Sequence, residues 1–347
     1  MNKILYATVD AKIPSNDSLI NDLKRMQRNQ ILITPSLPLP RSYETKFHKV
    51  VYEIPEWKNH QDISFEYATD MRAQQVLDDL DNHDLPLVVM WSGGIDSTVV
   101  LASLLKNSSL SQQKRIIVSM TNASYAENPY FFKNIINKYG ISTVDTNQHQ
   151  FDYTNAKIVH GDPADALWLG GIILNLSFDN PSAHKEKLAN KGEQIIVDYL
   201  STLSDYVYAR WLYDYGNSTA KLAGFELRTV SDFFWWLIFN FNFSPMCLKH
   251  VDEVKSSNLI DYNMFQKNFI QWFSTDIYQI WSIQAQYNQT KFDGTIRSYK
   301  MEAKEYIYDL DRNQWYRDYK TKIHSRYRNI QNSVKSLILY ENGEFEL

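Results

Sequence analysis

The stretch LPLVVMWSGGIDSTVVLASLL, residues 85–105, constrains the fold of this chain more than any other segment. It begins with a short apolar run rich in valine, which is typical of a buried strand. Ser92-Gly93-Gly94-Ile95-Asp96-Ser97 follows at once, and the apolar run after it predicts a buried helix. Strand, glycine turn and helix in immediate succession predict an anion site, because glycines admit a ligand to the backbone and the helix N-terminus offers unpaired N–H groups.

The side chains of this turn add to the prediction. Ser92, Ser97 and Thr98 supply hydroxyl donors. Asp96 would repel a phosphate unless a cation lay between them, so it predicts bound Mg²⁺. The alternative is an ordinary strand-to-helix turn without a ligand, but Ser-Gly-Gly-X-Asp-Ser is more specific than a lone Gly-Gly. No Gly-Lys-Ser/Thr follows, which excludes a Walker A motif.

The motif resembles the PP-loop of the ATP pyrophosphatase superfamily, whose enzymes split ATP between its α- and β-phosphates. Around it, periodicity predicts a helix at 63–80 and strands at 115–121, 141–146 and 156–160. Strands that alternate with helices predict an α/β fold with a parallel sheet and helices on both faces. The resemblance implies an adenine nucleotide alpha hydrolase-like sheet, here with a helical C-terminal extension.

A second stretch, HGDPADALWLGG at residues 160–171, repeats the order of strand, glycine, acidic loop and helix. Its carboxylates should emerge at the same edge of the sheet as Asp96. Taken alone, Asp162 or Asp165 is more simply interpreted as a helix cap. Together, the two motifs resemble the synthetase domain of the asparagine synthetase family, over roughly residues 63–310.

This resemblance implies roles for individual residues. Asp96 and Asp165 would hold Mg²⁺ on the pyrophosphate, and Asp162 would stand where the family has a glutamate that handles the attacking amine. A lysine that contacts the phosphates fits Lys304 best, with Lys300 in reserve. The two lysines are four residues apart, which predicts that they share one helix face. The predicted nucleotide contacts are Met90, Ser92, Gly93, Gly94, Asp96, Ser97, Thr98, Ser119, Met120, His160 and Gly161.

Three departures from the family pattern concern the substrate more than the ATP site. Asp162 is one methylene shorter than the family's glutamate, Pro163 replaces a small residue, and Ala166 replaces an acid. Glutamine-using members also carry a catalytic cysteine directly after the initiator methionine, where this sequence has Asn2. We therefore expect nitrogen to come from free ammonia, from an amine substrate or from an ammonia-supplying partner.

The composition argues against several other classes of protein. A formal net charge of −4 gives no overall attraction to nucleic acid, and the single cysteine, Cys247, excludes a disulfide framework. The first residues lack the apolar core of a signal peptide, and the aromatic block at 233–243 is too short to span a bilayer. These features predict a cytoplasmic protein with no membrane partner, in which the aromatic block is core.

Three parts are predicted along the chain: a small N-terminal α+β lobe at 1–62 without a recognisable glutaminase, a PP-loop synthetase domain at 63–310, and a basic aromatic helix with a terminal hairpin at 311–347. The hairpin turn is Asn342-Gly343. Residues 171–222 are predicted to be mostly helical, with Gly216-Asn217 interrupting the run.

The sequence thus predicts an ATP-dependent ligase that adenylates a substrate carboxylate, releases pyrophosphate and transfers the acyl group to ammonia or an amine. One alternative is a PP-loop enzyme that activates a base in nucleic acid or a nucleotide. Its support is the basic aromatic run at 312–328, and the paired cysteines of the thiolating versions are missing. A non-catalytic nucleotide-binding module is the third reading, which the acidic residues and lysines disfavour.

Overall fold

The computed structural model describes residues 42–44, 49–51, 53–147, 154–169, 173, 176–177, 180–202, 206–243, 246–247, 267–288, 292–295, 297–321, 340–341 and 344–345. Most of the predicted N-terminal lobe lies outside these residues, as does the second half of the basic aromatic run. Within the described part of the chain, no helix has both the length and the apolar character needed to cross a membrane.

Two compact units make up the chain. The first comprises Met1–Ala68, Asp162–Ile260 and Gln271–Tyr299, and the second comprises Thr69–Gly161, Asp261–Ile270 and Lys300–Leu347. The strands are β1 (Ser42–Glu44), β2 (Lys49–Val51), β3 (Leu87–Met90), β4 (Ile116–Met120), β5 (Ser142–Asp145), β6 (Lys157–His160), β7 (Phe269–Gln271), β8 (Tyr340–Glu341) and β9 (Glu344–Phe345). The α-helices are α1 (Phe65–Asp81), α2 (Ile95–Asn107), α3 (Leu110–Gln113), α4 (Asn122–Glu127), α5 (Pro129–Phe131), α6 (Ala164–Leu167), α7 (Glu193–Ser201), α8 (Tyr206–Leu222), α9 (Val230–Leu237), α10 (Asp276–Tyr287), α11 (Met301–Asp311) and α12 (Gln314–Tyr319).

A five-stranded, all-parallel sheet in the order β5-β4-β3-β6-β7 confirms the predicted α/β class. Its central strand is β3, in which Leu87, Val88 and Val89 are all fully buried. Consecutive residues of a strand point to opposite faces, so both faces of the sheet are covered. The four strands predicted from apolar runs form within a few residues of their expected bounds. The fifth strand, β7, was not predicted, because its three residues are too few to form a recognisable apolar run. The predicted hairpin is also present, because β8 pairs with β9 in antiparallel register.

Helix α2 leaves the end of β3 and packs against α11. Helix α11 belongs to the last segment of the second unit, Lys300–Leu347, called the C-terminal extension. Asp70 of α1 links the two helices, because its Oδ1 accepts hydrogen bonds from the Asn107 side-chain amide at 2.9 Å and from the Tyr306 hydroxyl. Asn107 ends α2 and Tyr306 belongs to α11. A carboxylate shared by three helices therefore holds α11 against α1 and α2 within the second unit.

The described side chains of the aromatic block, at 233–240 and 243, are buried, as predicted. Trp235 and Trp236 are almost fully buried, and their indole N–H groups donate to Ser282 Oγ at 3.1 Å and Thr219 Oγ1 at 3.0 Å. These bonds satisfy the only polar group of each ring, so tryptophan is tolerated inside this unit.

The expected break at Gly216-Asn217 is wrong, because α8 runs unbroken through both residues. A Cβ at Gly216 would lie 2.9 Å from the ring of Phe233 and 3.2 Å from Leu237. The glycine is needed for close approach of α8 and α9 rather than for a turn. Its cost in helix propensity is offset by this packing.

Gln284 of α10 fastens the segment that precedes α1. Its Oε1 accepts from the Ile63 N–H at 2.9 Å, and its Nε2 lies within 3.2 Å of the carbonyl oxygens of His60 and Gln61. One buried amide therefore satisfies backbone groups of both kinds, which only a side chain with donors and an acceptor can do.

Replacing Gln284 by glutamate tests this role, because the change keeps size but turns the donor group into a carboxylate that faces carbonyl oxygens. We expect Gln284→Glu to lower the free energy of unfolding in urea by about 2 to 3 kcal/mol. Gln75→Glu, the same change at an exposed position of α1, is the control and should have little effect. Equal stability of the two variants would contradict the assignment.

Candidate functional site

The loop at 92–97 follows the central strand at its carboxyl end, where ligands bind in open parallel sheets. Hydrogen bonds of its two serines hold the loop in its bent shape. Ser97 Oγ accepts from the Ser92 N–H at 3.1 Å, and Ser92 Oγ lies 3.0 Å from Ser97 Oγ and 3.3 Å from the Gly94 nitrogen. These bonds bend the backbone around its own hydroxyl groups, so the loop is shaped before any ligand arrives.

Gly93 brings this loop against α4. It has a φ of 77°, and a Cβ at this position would lie 2.4 Å from the carbonyl oxygen of Ser124 and 2.9 Å from Glu127 Cβ. From the sequence, the expected role of Gly93 is to let a ligand approach the backbone closely. The structure adds a second reason, because no side chain fits between the loop and the end of α4.

The N-terminus of α2 is the second part of the predicted anion site. Its N-cap is Gly94, which has no side chain to bond the first N–H groups of this 13-residue helix. Uncapped N–H groups and the helix dipole together favour an anion at this end. Thr98 lies behind the loop rather than on its surface, because it is fully buried and its hydroxyl accepts from the Trp91 indole at 3.1 Å.

Asp96, in the first turn of α2, forms an ion pair with Lys300. The lysine Nζ lies 2.6 Å from Oδ1 and 2.8 Å from Oδ2, and its side chain is only 3% exposed. A cation therefore lies beside the carboxylate that the sequence argument found out of place near a phosphate. That cation belongs to the chain itself.

The prediction that Lys300 and Lys304 share a helix face is wrong, because α11 begins at Met301. Lys300 precedes the helix in the left-handed conformation, with φ 49° and ψ 41°. Lys304 is fully buried, and its Nζ lies 3.5 Å from the carbonyl oxygen of Lys320. The reserve lysine therefore contacts the loop residue Asp96, whereas the preferred one contacts the backbone of the C-terminal extension.

Sequence reasoning missed Lys320, Glu127 and Tyr316. Lys320 is 2% exposed and donates to Glu127 Oε1 at 2.9 Å, and the Tyr316 hydroxyl lies 3.4 Å from the Gly93 carbonyl oxygen. Glu127 and Lys320 are 193 residues apart in the chain. The basic aromatic composition of 312–328 is the only signal that pointed to this part of the site.

Burial perturbs two acids in the same region. It raises the pKa of Tyr316 well above its ordinary value, so this hydroxyl stays protonated. It also raises the pKa of Asp311 to about 6, against an opposing bond from the Asn313 N–H. Asp311 Oδ2 is buried without a hydrogen-bond partner, which accounts for the cost of ionising it.

The ends of β3, β4 and β6 bring five predicted nucleotide contacts to the same edge of the sheet. Met90 pairs in register with Ser119, at the ends of β3 and β4, and Met120 follows. Gly161 follows β6 and lies against the start of α2, where a Cβ would be 3.2 Å from the Ser97 nitrogen. His160 ends β6, with its ring 6.2 Å from that of Phe269. Gly161 therefore lies against the 92–97 loop, and the other residues lie at the ends of neighbouring strands; their contacts with a nucleotide stay a prediction.

Asp162 and Asp165 belong to the first unit, since the division of the chain falls between Gly161 and Asp162. Asp165 is 9% exposed and lies in the first turn of α6. The predicted pairing of Asp96 with Asp165 around one Mg²⁺ and the role of Asp162 stay predictions.

The donor set of the second unit is compatible with Mg²⁺ under one condition. Among the described residues, no group of three or more His, Cys, Asp and Glu side chains gathers into a metal site. Mg²⁺ bound with phosphates needs only one or two carboxylates, because it keeps water and phosphate oxygens as ligands. Asp96 can serve as such a ligand, provided that Lys300 moves from one of its oxygens to a phosphate.

The close approach at Gly93 predicts a large effect of Gly93→Ala on stability. The alanine adds left-handed strain and a clash with the Ser124 carbonyl. Gly140→Ala is the matched control, because Gly140 has a φ of 64° but nothing within 4 Å of its Cβ position. We expect Gly93→Ala to lower the free energy of unfolding by about 2 kcal/mol more than Gly140→Ala. Similar losses would contradict the contact.

The raised pKa of Asp311 predicts that Asp311→Asn increases the free energy of unfolding, by an amount that depends on pH. A carboxyl group with a pKa of about 6 in the folded protein and about 4 in the unfolded chain costs stability as pH rises through this interval. Asparagine stays neutral and still accepts from the Asn313 N–H. We expect the variant to be more stable than the wild type by about 1 to 2 kcal/mol at pH 8, with no advantage at pH 4. Urea unfolding of both proteins from pH 4 to pH 8 measures this difference in stability. A difference that does not change with pH would contradict the prediction.

Comparison with protein-family models, with curated proteins and with solved structures finds no match to this chain. The function must therefore be inferred from the loop, from the charged groups around it and from its place at the edge of the sheet.

Proposed function

We propose that the chain is an ATP-dependent ligase of the asparagine synthetase-like kind, which adenylates a substrate carboxylate and transfers the acyl group to ammonia or an amine. The observation that carries the proposal is the ion pair between Asp96 and Lys300 at the 92–97 loop. A mere strand-to-helix turn has no need of a buried ammonium at the start of its helix. A phosphate site does, because it must balance the charge of a polyphosphate.

In this proposal, the phosphates of ATP lie along the loop and the N-terminus of α2. Lys300 and Lys320 supply positive charge from the C-terminal extension, and both side chains are almost fully buried. Electrostatic attraction is stronger in such a water-poor setting than in bulk solvent. Mg²⁺, held by Asp96 and by phosphate oxygens, would neutralise further charge on the leaving group.

The first chemical step is attack by a substrate carboxylate oxygen on the α-phosphorus of ATP. The bond from that phosphorus to the oxygen that bridges to the β-phosphate breaks, and pyrophosphate leaves. Lys300, Lys320 and the α2 N–H groups stabilise the charge that develops on the departing oxygen. In the second step, nitrogen attacks the acyl carbon, AMP leaves and a base accepts the surplus proton, the role that the family resemblance implies for Asp162.

Cys247 is buried and is the single cysteine of the sequence, which agrees with a reducing compartment, and we expect a cytoplasmic enzyme. The described residues give little support to the alternative of an enzyme that acts on nucleic acid. In the described part of the basic aromatic run, Arg317 is paired with Asp318 at 2.9 Å, and the Arg312 guanidinium lies 3.6 Å from Asp309. Charges that are already neutralised within the chain contribute less to binding phosphates of RNA or DNA.

The proposal is tested by measuring pyrophosphate release from ATP and Mg²⁺ over a panel of carboxylates, with ammonia and amines as acceptors. We expect AMP and pyrophosphate in equal amounts. Asp96→Asn and Lys300→Gln should each lower kcat/KM by about 100-fold, and the double variant should lose little more, because the two groups act as a pair.

Glu305→Gln, which removes an exposed charge of α11, serves as the control and should leave the rate unchanged. Production of only ADP and phosphate would refute adenylation. Absence of turnover, combined with salt-sensitive binding of tRNA or DNA, would instead favour the nucleic-acid alternative.

A further inference from the structure

Lys320 and Glu127 form an ion pair that the proposed chemistry leaves unexplained. Lys320 directly follows α12 and is 2% exposed, and its Nζ lies 2.9 Å from Glu127 Oε1. Glu127 ends α4 and is itself 15% exposed. A carboxylate close to a phosphate site opposes binding, so its presence calls for a compensating function.

The geometry places this pair on the 92–97 loop. A Cβ at Gly93 would lie 2.9 Å from Glu127 Cβ, and a Cβ at Gly94 would lie 3.8 Å from Glu127 Oε1, the oxygen that accepts from Lys320. The ammonium is therefore held next to the loop glycines. Lys300 reaches the same loop through a different carboxylate, that of Asp96.

A buried ammonium needs such a partner. Burial lowers the pKa of Lys320, and the charge and hydrogen bond of Glu127 oppose that shift. Other ionisable groups are close. The Tyr316 ring lies 5.8 Å from the ammonium, and Lys304 of α11 donates to the Lys320 carbonyl at 3.5 Å. Of these neighbours, Glu127 is the carboxylate that bonds the ammonium directly.

We propose that Glu127 is a positioning residue, which keeps the Lys320 ammonium charged and aimed at the phosphates bound on the 92–97 loop. Lys304 assists because its bond to the Lys320 carbonyl oxygen holds the backbone of Lys320 at the end of α12. This inference rests on the proposed function, because it requires a phosphate ligand at the loop. Once the phosphates arrive, Lys320 shares its hydrogen bonds between them and Glu127, so the carboxylate is screened from the anion by the ammonium.

The experiment compares the wild type with Glu127→Gln, which keeps size and removes the charge. Binding of inorganic pyrophosphate is measured by calorimetry from pH 6 to pH 9.5, and pyrophosphate release over the same range. At pH 6, which favours the charged form of lysine, affinities should agree within about twofold. At pH 9 the variant should bind about tenfold more weakly, because Lys320 loses its proton earlier without the carboxylate.

Two variants sharpen the test. In a Lys320→Arg background the guanidinium stays charged, so Glu127→Gln should no longer introduce a pH dependence. Glu305→Gln controls for the loss of a negative charge in the same unit. Should Glu127→Gln fail to fold, Glu127→Asp weakens the contact by shortening the side chain, and a smaller shift in the same direction is expected.

A Glu127→Gln profile parallel to that of the wild type at every pH would overturn the inference and leave the proposed function standing. A wild type that neither binds pyrophosphate nor releases it from ATP would overturn both. The pH dependence separates positioning from a purely structural role, because a loss of folding alone would weaken binding equally across the range.

Discussion

The contact between Gly93 and the carbonyl of Ser124 is the constraint on which the site depends. The loop can leave the central strand and enter α2 along its observed path only because the first glycine has a positive φ and no side chain. That path brings the end of α4, and with it Glu127, against the loop. The lack of a side chain at Gly93 therefore determines both the path of the 92–97 loop and the position of Glu127 beside it.

Two buried ammonium groups of this unit are each paired with a carboxylate. Lys300 and Lys320 both lie almost entirely out of water, and each has a carboxylate partner at hydrogen-bond distance. An unpaired buried ammonium would be costly enough to lose its proton. The two carboxylates come from elements that meet at the loop, whereas both lysines come from the C-terminal extension. The extension is thus a working part of the second unit rather than a cover on its surface.

Local signals predicted much of this fold. The buried strands, the glycine turn and α2 follow from apolar runs and residue types within about twenty positions of one another. Lys320 and Glu127 did not follow, because no local pattern links residues so far apart in the chain. Gly216 was misread for a related reason. A glycine looks the same in sequence whether it breaks a helix or lets Phe233 pack against it, and only the tertiary contact decides.

The left-handed backbone of Lys300 has a consequence for how this position can vary. A residue with a side chain in this region of φ and ψ costs about 1 to 2 kcal/mol, a cost that glycine avoids. Only a long cationic side chain, however, reaches Asp96 from here. Glycine would relieve the backbone strain but would also remove the ammonium and its ion pair with Asp96. The lysine at this position therefore combines an unfavourable backbone conformation with a charged contact that the strain makes possible.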